Sequence, residues 1–322
     1  MFWKIIAFTL TYFLSAGFAV AEYNLTIIHT NDLHGQFEPR TENSNSCTPE
    51  ENSEGQCYGG AARLATAISD SRARSENSIL VDAGDAFTGS KFFWYFRGSF
   101  TAEMMNRLSY DAMVAGNHEF DEGIGVFTEI LDATEFPILI ANVETVNVPS
   151  LTEKLLKSII VVRGGEQLGI IGVTKQNMYD WSNPGPDLIF TDPVGAVQAE
   201  VNRLETSGIN KIILLSHLGY SVDKQLATET NGVDVIVGGH SHTHLLNNST
   251  DAEGPYPTMV NGTAIVQVFA YGKYLGELNL LFNDQGEIME ATGDPVYLGK
   301  DVEEDEETAS RVNSAAAFLA DL

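Results

Sequence analysis

Leu25-Thr26-Ile27-Ile28-His29-Thr30-Asn31-Asp32-Leu33-His34-Gly35 is the stretch on which the reading of this chain turns. Leu25 to Thr30 is rich in apolar and β-branched residues and reads as a strand that runs into an Asp-x-His pair. Asp32 and His34 are two residues apart, so at a strand end both side chains can point the same way. Three further blocks repeat the arrangement: Gly84-Asp85, Gly116-Asn117-His118-Glu119-Phe120-Asp121, and Ser216-His217 with Gly239-His240-Ser241-His242. Each follows an apolar, strand-like run. Together the blocks hold five of the seven histidines.

These residue types are metal donors. A carboxylate such as Asp85 can bridge two cations, which a neutral side chain does poorly. Asn117 offers a carbonyl oxygen, and the imidazoles of His217, His240 and His242 suit zinc, iron, nickel, copper or manganese better than calcium. A lone histidine at a strand end is usually structural. Four such blocks in one chain instead predict a centre for two divalent ions. The chemistry that follows is attack by a metal-activated water, with phosphorus as the target.

His118 adjoins a proposed ligand but points elsewhere along the backbone. Asp121, three residues on, can hold its ring in one tautomer and stabilise the imidazolium. Such a pair suits protonation of a leaving oxygen or stabilisation of transition-state charge. The competing role for Asp121 is to cap the following helix. His29 reads as a packed or hydrogen-bonded strand residue. His244 is set aside because three ligands in five residues is hard geometry. Phe92-Phe93-Trp94-Tyr95-Phe96 reads as a buried or interface patch in preference to a substrate wall.

The chain has 322 residues, enough for one large domain or two small ones, and 43% of them are hydrophobic. Its formal net charge of -26 argues against nucleic acid or an anionic membrane surface as partner. An anionic substrate must then be drawn in by local cations, which bound metals would supply. Residues 1–21 have the pattern of a secretory signal: Lys4, the apolar stretch Ile5 to Val20, and Ala19-Val20-Ala21 before Glu22. The rival reading is a membrane anchor. The expectation is a secreted, extracellular product with no stable membrane anchor. Cys47 and Cys57, the two cysteines, are expected to form a local disulfide, with a zinc-ligand role as the weaker alternative. Glycosylation sequons begin at Asn24, Asn247, Asn248 and Asn261.

Periodicity predicts helices over 60–74, 101–108, 123–133, 193–207 and 221–230, alternating with strands over 78–83, 112–115, 137–141, 211–215 and 233–237. Residues 159–162 and 168–173 form a predicted hairpin around Arg163-Gly164-Gly165-Glu166. The alternation argues for an α/β sheet. The strand-rich stretch Ala264 to Phe282 suggests a second sheet packed on the first. From Asp301 a charge run leads into a helix-forming segment, Ala309 to Leu322. It reads as a solvated terminal helix or as the start of a linker.

At this point the residues carry a resemblance. His29-Thr30-Asn31-Asp32-Leu33-His34-Gly35, Asp82-Ala83-Gly84-Asp85, the Asn-His-Glu-Phe-Asp block and Gly238-Gly239-His240-Ser241-His242-Thr243 resemble the metal-binding domain of the 5'-nucleotidase/apyrase family, within the calcineurin-like metallophosphoesterases. The resemblance implies a four-layer αββα sandwich, two mixed sheets flanked by helices, over residues 22–300. It implies one metal on Asp32, His34 and Asp85 with His242 nearby, and another on Asp85, Asn117, His217 and His240. Zinc leads the candidates, with manganese, calcium and other divalent ions as alternatives. His118 and Asp121 match the family's catalytic dyad, and Asn117 and His118 its substrate contacts. The implied activity is release of terminal phosphate from extracellular nucleotides, AMP to adenosine or ATP and ADP to AMP. Residues 301–322 match the start of a linker to a C-terminal nucleotide-binding domain that this sequence does not contain. The alternative reading is a weakly active or inactive relative that binds a nucleotide or a protein.

Overall fold

In the strand Tyr23–Thr30, Leu25 and Ile27 belong to one buried cluster and Ile28 to another, so both faces are covered. Strands buried on both faces belong inside a layered structure. The layers are visible in a computed structural model that describes residues 22–43 and 45–322. The predicted signal segment lies outside the described residues.

The first sheet runs Ile288–Gly293, Tyr274–Phe282, Tyr23–Thr30, Ser78–Asp82, Ala112–Val114, Ile138–Leu139, with Val296–Tyr297 also paired to Tyr274–Phe282. Tyr23–Thr30 and the three strands after it are parallel. The second sheet runs Thr258–Val260, Thr263–Val266, Val235–Gly238, Ile212–Ser216, Glu166–Val173, Ser158–Arg163. Its four central strands are parallel and its two edges antiparallel.

Leu25, Ile27, Ile79 and Val81 of the first sheet share one core with Ile171, Ile213 and Val237 of the second. Val197, Val201 and Leu204 of the helix Pro193–Thr206 and Leu226 of Tyr220–Glu229 join that core from outside the second sheet. On the far side of the first sheet, Leu80 and Met113 pack with helices Ala61–Arg74, Ser99–Leu108 and Gly123–Ala133 through Ile68, Met105 and Phe127. The order is helix, sheet, sheet, helix: the expected α/β sandwich of two mixed sheets.

Two expectations change. The terminal strands do not make the second sheet. Thr263–Val266 joins it, but Tyr274–Phe282 and Ile288–Gly293 return to the first sheet beside Tyr23–Thr30. The crossing is tied down by Asn31, whose side chain accepts from Val268 N–H at 2.9 Å and donates to the Phe269 carbonyl at 2.6 Å. The strand expected over 137–141 pairs only at Ile138–Leu139. Beyond it the chain turns across to the second sheet, where Ala141 N–H donates to the Gly172 carbonyl at 2.7 Å.

Cys47 and Cys57 form a disulfide, with Cα atoms 6.2 Å apart. The C-terminal helix Glu306–Ala320 is capped by Asp305, which accepts from Thr308 N–H at 2.8 Å, and has Glu306 and Glu307 in its first turn. Acids there complement the helix dipole. The helix is docked. Val312 and Ala315 are buried against Phe92, Phe100 and Met104, and Arg311 donates to both oxygens of Glu103 at 2.6 Å. Phe92 therefore belongs to a buried patch, as expected of its aromatic run. Among the described residues no helix is long and apolar enough to cross a membrane.

Val312→Asp places an unpaired carboxylate in this contact. It should lower unfolding free energy by about 3 kcal/mol in urea denaturation, whereas Ser310→Asp, on a more exposed position, should change it little.

Candidate metal centre

The parallel strands of both sheets point their C-terminal ends at one region, as open α/β sheets do at ligand sites. Asp32 and His34 follow Thr30, Asp85 follows Asp82, and Asn117 and His118 follow Val114. From the second sheet, His217 follows Ser216, and His240 and His242 follow Gly238. Every candidate ligand from the sequence is thus brought to the same place.

Two donor groups form around Asp85. Asp32, His34 and His242 converge within ligating reach, and so do Asp85, His217 and His240; a third grouping links Asp85 to His34 and His118. Asp85 Oδ2 lies 3.0 Å from His217 Nε2, and Asn117 Oδ1 is 2.9 Å from His240 Nδ1. His34 Nε2 and His242 Nε2 approach to 3.1 Å, with Asp32 Oδ1 3.4 Å from the latter. His244 stays outside, stacked on Tyr274, and His29 is bonded through Nε2 to the Tyr256 hydroxyl at 2.8 Å.

The donors suit divalent metal. His217 is fully buried, with Nδ1 held 2.6 Å from the Ala83 carbonyl. That fixes the tautomer and leaves Nε2 aimed at Asp85, 3.0 Å from its Oδ2. This is the outer-shell geometry of a metal-binding histidine. Gly116 keeps the space clear: a Cβ there would sit 2.7 Å from His217 Nε2 and 2.8 Å from Asp85 N. The described residues lining the cleft above include no Lys or Arg. Fixed positive charge near the cleft wall is then limited to the histidines and to Lys175 behind Trp181, so an anionic ligand depends largely on bound cations.

The electrostatics point the same way. Burial opposes charge on His217, yet the Asp85 carboxylate raises it to about 10. Burial also works against the Asp85 carboxylate, and the nearby imidazoles His217, His118 and His34 hold its pKa below the usual carboxylate range. Asp85 thus demands a positive partner. Burial lowers His34, and burial with the His217 charge lowers His240 to about 4, so both present neutral rings.

Five of the candidate ligands sit in the left-handed region: Asp32 at φ 51°, His34 at 49°, Asp85 at 57°, His240 at 72° and His242 at 51°. Each such non-glycine conformation costs about 1–3 kcal/mol and clusters at functional sites. No sequence signal marks it beyond the tolerance of Asp and His for that region.

His118 and Asp121 are paired, Nδ1 to Oδ2 at 2.6 Å. The Asp121 bond outweighs burial and raises His118 to about 9. Asp121 does not cap the next helix. It accepts from Ser182 Oγ at 2.8 Å, and the capping position, Glu122, makes no side-chain cap bond.

Sequence reasoning passed over Glu119. Its buried carboxylate accepts from the N–H groups of Asp85 (3.0 Å), Ala86 (2.9 Å), Phe87 (3.3 Å) and Gly116 (2.6 Å). It thereby ties the Asp85 loop to the Asn117 loop. Gln267 plays a similar part under Ser241 and Thr243, accepting at 3.1 and 2.5 Å. Glu119 lies inside the Gly116 to Asp121 block, so an acid without a role was its signal. Gln267, Trp181 and Tyr271 carried none. Trp94 is a second departure: it leaves the aromatic patch and lines the cleft.

A family model for calcineurin-like phosphoesterases matches residues 25–244, and the chain belongs to that family. Membership implies divalent metal ions. The chain is 41% identical to snake venom 5'-nucleotidase of Crotalus adamanteus, covering 92% of this chain and 51% of the relative. It is 38% identical to 5'-nucleotidase of Homo sapiens, covering 92% and 53%. The crystal structure of a 5'-nucleotidase precursor from Thermus thermophilus superposes with TM-score 0.85 at 36% identity, covering 93% of this chain and 60% of that one. The chain spans about half the length of the curated relatives it matches.

Glu119→Gln puts an N–H donor where backbone N–H groups converge. Metal titration of the purified variant should show affinity reduced about 10–100-fold, with the fold retained by circular dichroism.

Proposed function

We propose that the chain is a secreted, metal-dependent phosphohydrolase that removes the terminal phosphate of nucleotides, acting on nucleoside 5'-monophosphates as a 5'-nucleotidase. The observation that carries this reading is Asp85, set between the Asp32, His34, His242 group and the Asn117, His217, His240 group, with the His118–Asp121 pair beside it. Divalent ions held there, zinc first, would supply Lewis acidity and an activated water.

The protein's own part is positioning and proton control. Asn117 and His118 lie on the cleft wall, where they can hold the phosphoryl oxygens. His118 donates a proton to the departing ester oxygen, and Asp121 keeps its ring oriented while Ser182 and Thr88 hold Asp121. Water adds to phosphorus as the ester P–O bond breaks, giving a nucleoside and inorganic phosphate. Secretion is supported by the signal-like residues 1–21 and by the disulfide. Of the overlapping sequons, Asn248 suits a glycan better than Asn247, whose amide is taken by the Tyr256 and Gly293 carbonyls at 2.7 and 2.9 Å.

Phosphate release from AMP, ADP, ATP and an aryl phosphate tests the reading. Expected are activity abolished by chelator and restored by zinc or manganese, AMP as the best substrate, and losses of about 100-fold or more in Asp85→Ala and His118→Ala. Preference for ATP or ADP would make it an apyrase instead. No metal-dependent release from any of the four would refute the hydrolase.

A further inference from the structure

Trp94 and Trp181 are the tryptophans of the described residues, and both line the metal cleft. They are 69% and 48% exposed. Indole carries a large apolar surface and is highly buried on average. Two such rings left open at one cleft call for a reason.

Trp94 lies on the short helix Lys91–Phe96, whose Phe92 and Phe93 are buried. Trp181 is fixed more closely. It meets the His240 ring edge-on, centroids 4.6 Å apart and planes at 83°. The Lys175 ammonium lies 4.7 Å from the Trp181 ring centroid and donates to the Leu218 carbonyl at 3.4 Å. A cation over the ring is attracted by its quadrupole and restrains it. Trp181 is thus an immobilised indole beside a candidate metal ligand, with much of its surface still open. The cleft has a volume of about 520 Å³, within the usual range for small-molecule sites, about 300–1,000 Å³.

We propose that Trp181, steadied by Lys175 and His240, is a stacking platform for the base of a nucleotide whose phosphate sits at the metal centre, with Trp94 as a second aromatic wall. The proposal rests on the phosphohydrolase reading and names the residues that would select its substrate. Every base has a π face, so stacking on indole favours nucleotides over base-free phosphate esters without separating one base strongly from another. It gives this domain a contact to the leaving group that does not depend on charge, which suits a cleft without Lys or Arg in its described lining.

The test compares AMP with ribose 5-phosphate in the full chain and in Trp181→Ala, Trp94→Ala and Trp181→Phe. The preference for AMP, as a ratio of kcat/KM values, should fall about 10-fold in Trp181→Ala, mainly through KM. It should fall less in Trp94→Ala and be largely kept in Trp181→Phe, which retains an aromatic face. Equal losses for both substrates in Trp181→Ala would assign the indole to support of His240 and overturn the proposal. An unchanged ratio in both alanine variants would overturn it too. Adenosine, which has no phosphate, provides the independent reading: it should quench tryptophan fluorescence saturably, and the quench should disappear in Trp181→Ala. If no phosphate ester is hydrolysed, the hydrolase reading fails and the adenosine titration alone decides the platform. Absence of quenching would then sink it.

Discussion

A buried carboxylate cannot stay charged without compensation, and Asp85 is the point where this chain meets that constraint. It is 2% exposed, at the end of a central strand and between the two sheets. Its compensation comes from both sides: the His118 backbone N–H donates to Oδ1 at 2.8 Å, and the His217 ring stands 3.0 Å from Oδ2. His118 hangs from the first sheet and His217 from the second. The charge is satisfied only when the sheets pack in their observed relation, so the electrostatics of the centre and the geometry of the sandwich are one requirement.

The layered fold was legible because buried parallel strands are continuous apolar runs. Ile79-Leu80-Val81, Ile213-Leu214-Leu215 and Val235-Ile236-Val237 could be read as strands with no knowledge of their partners. The cluster of candidate donors was legible because Asp and His at the ends of such runs are conspicuous. Pairing was not legible. Tyr274–Phe282 looks like any other strand, and nothing local says that it crosses back to lie beside Tyr23–Thr30. That choice depends on Asn31 holding Val268 and Phe269, more than 230 residues away in sequence. Glu119, Gln267 and Trp181 were obscure for the same reason: each acts through a tertiary contact, and composition and spacing report only local order.

The strained backbone of the candidate ligands shows what the cores are for. Left-handed conformations at Asp32, His34, Asp85, His240 and His242 persist only if their surroundings over-determine them. The surroundings do so with buried polar groups. His240 N–H donates to both oxygens of Asp32 at 3.0 and 3.1 Å, Glu119 gathers four N–H groups, and Ser216 donates to the buried Asp223 at 2.5 Å. Apolar burial on both faces of each sheet supplies the stability that holds these loops in unfavourable geometry. A site preorganised this way needs little rearrangement to accept cations.

Charge then separates two kinds of recognition. With 44 acidic and 18 basic residues the chain repels anions at long range. A phosphate must be held by short-range positive charge, which the cleft can offer through His118 and through cations at the Asp and His donors. Phosphate affinity is therefore linked to metal occupancy: each should strengthen the other by the same factor, since linkage is reciprocal. Contacts to the apolar tryptophan faces lie outside that linkage, because stacking and dispersion do not require the metals' charge. A ligand with both a phosphate and a flat ring would join the two, and the ring's contribution should persist at salt concentrations that weaken the phosphate's.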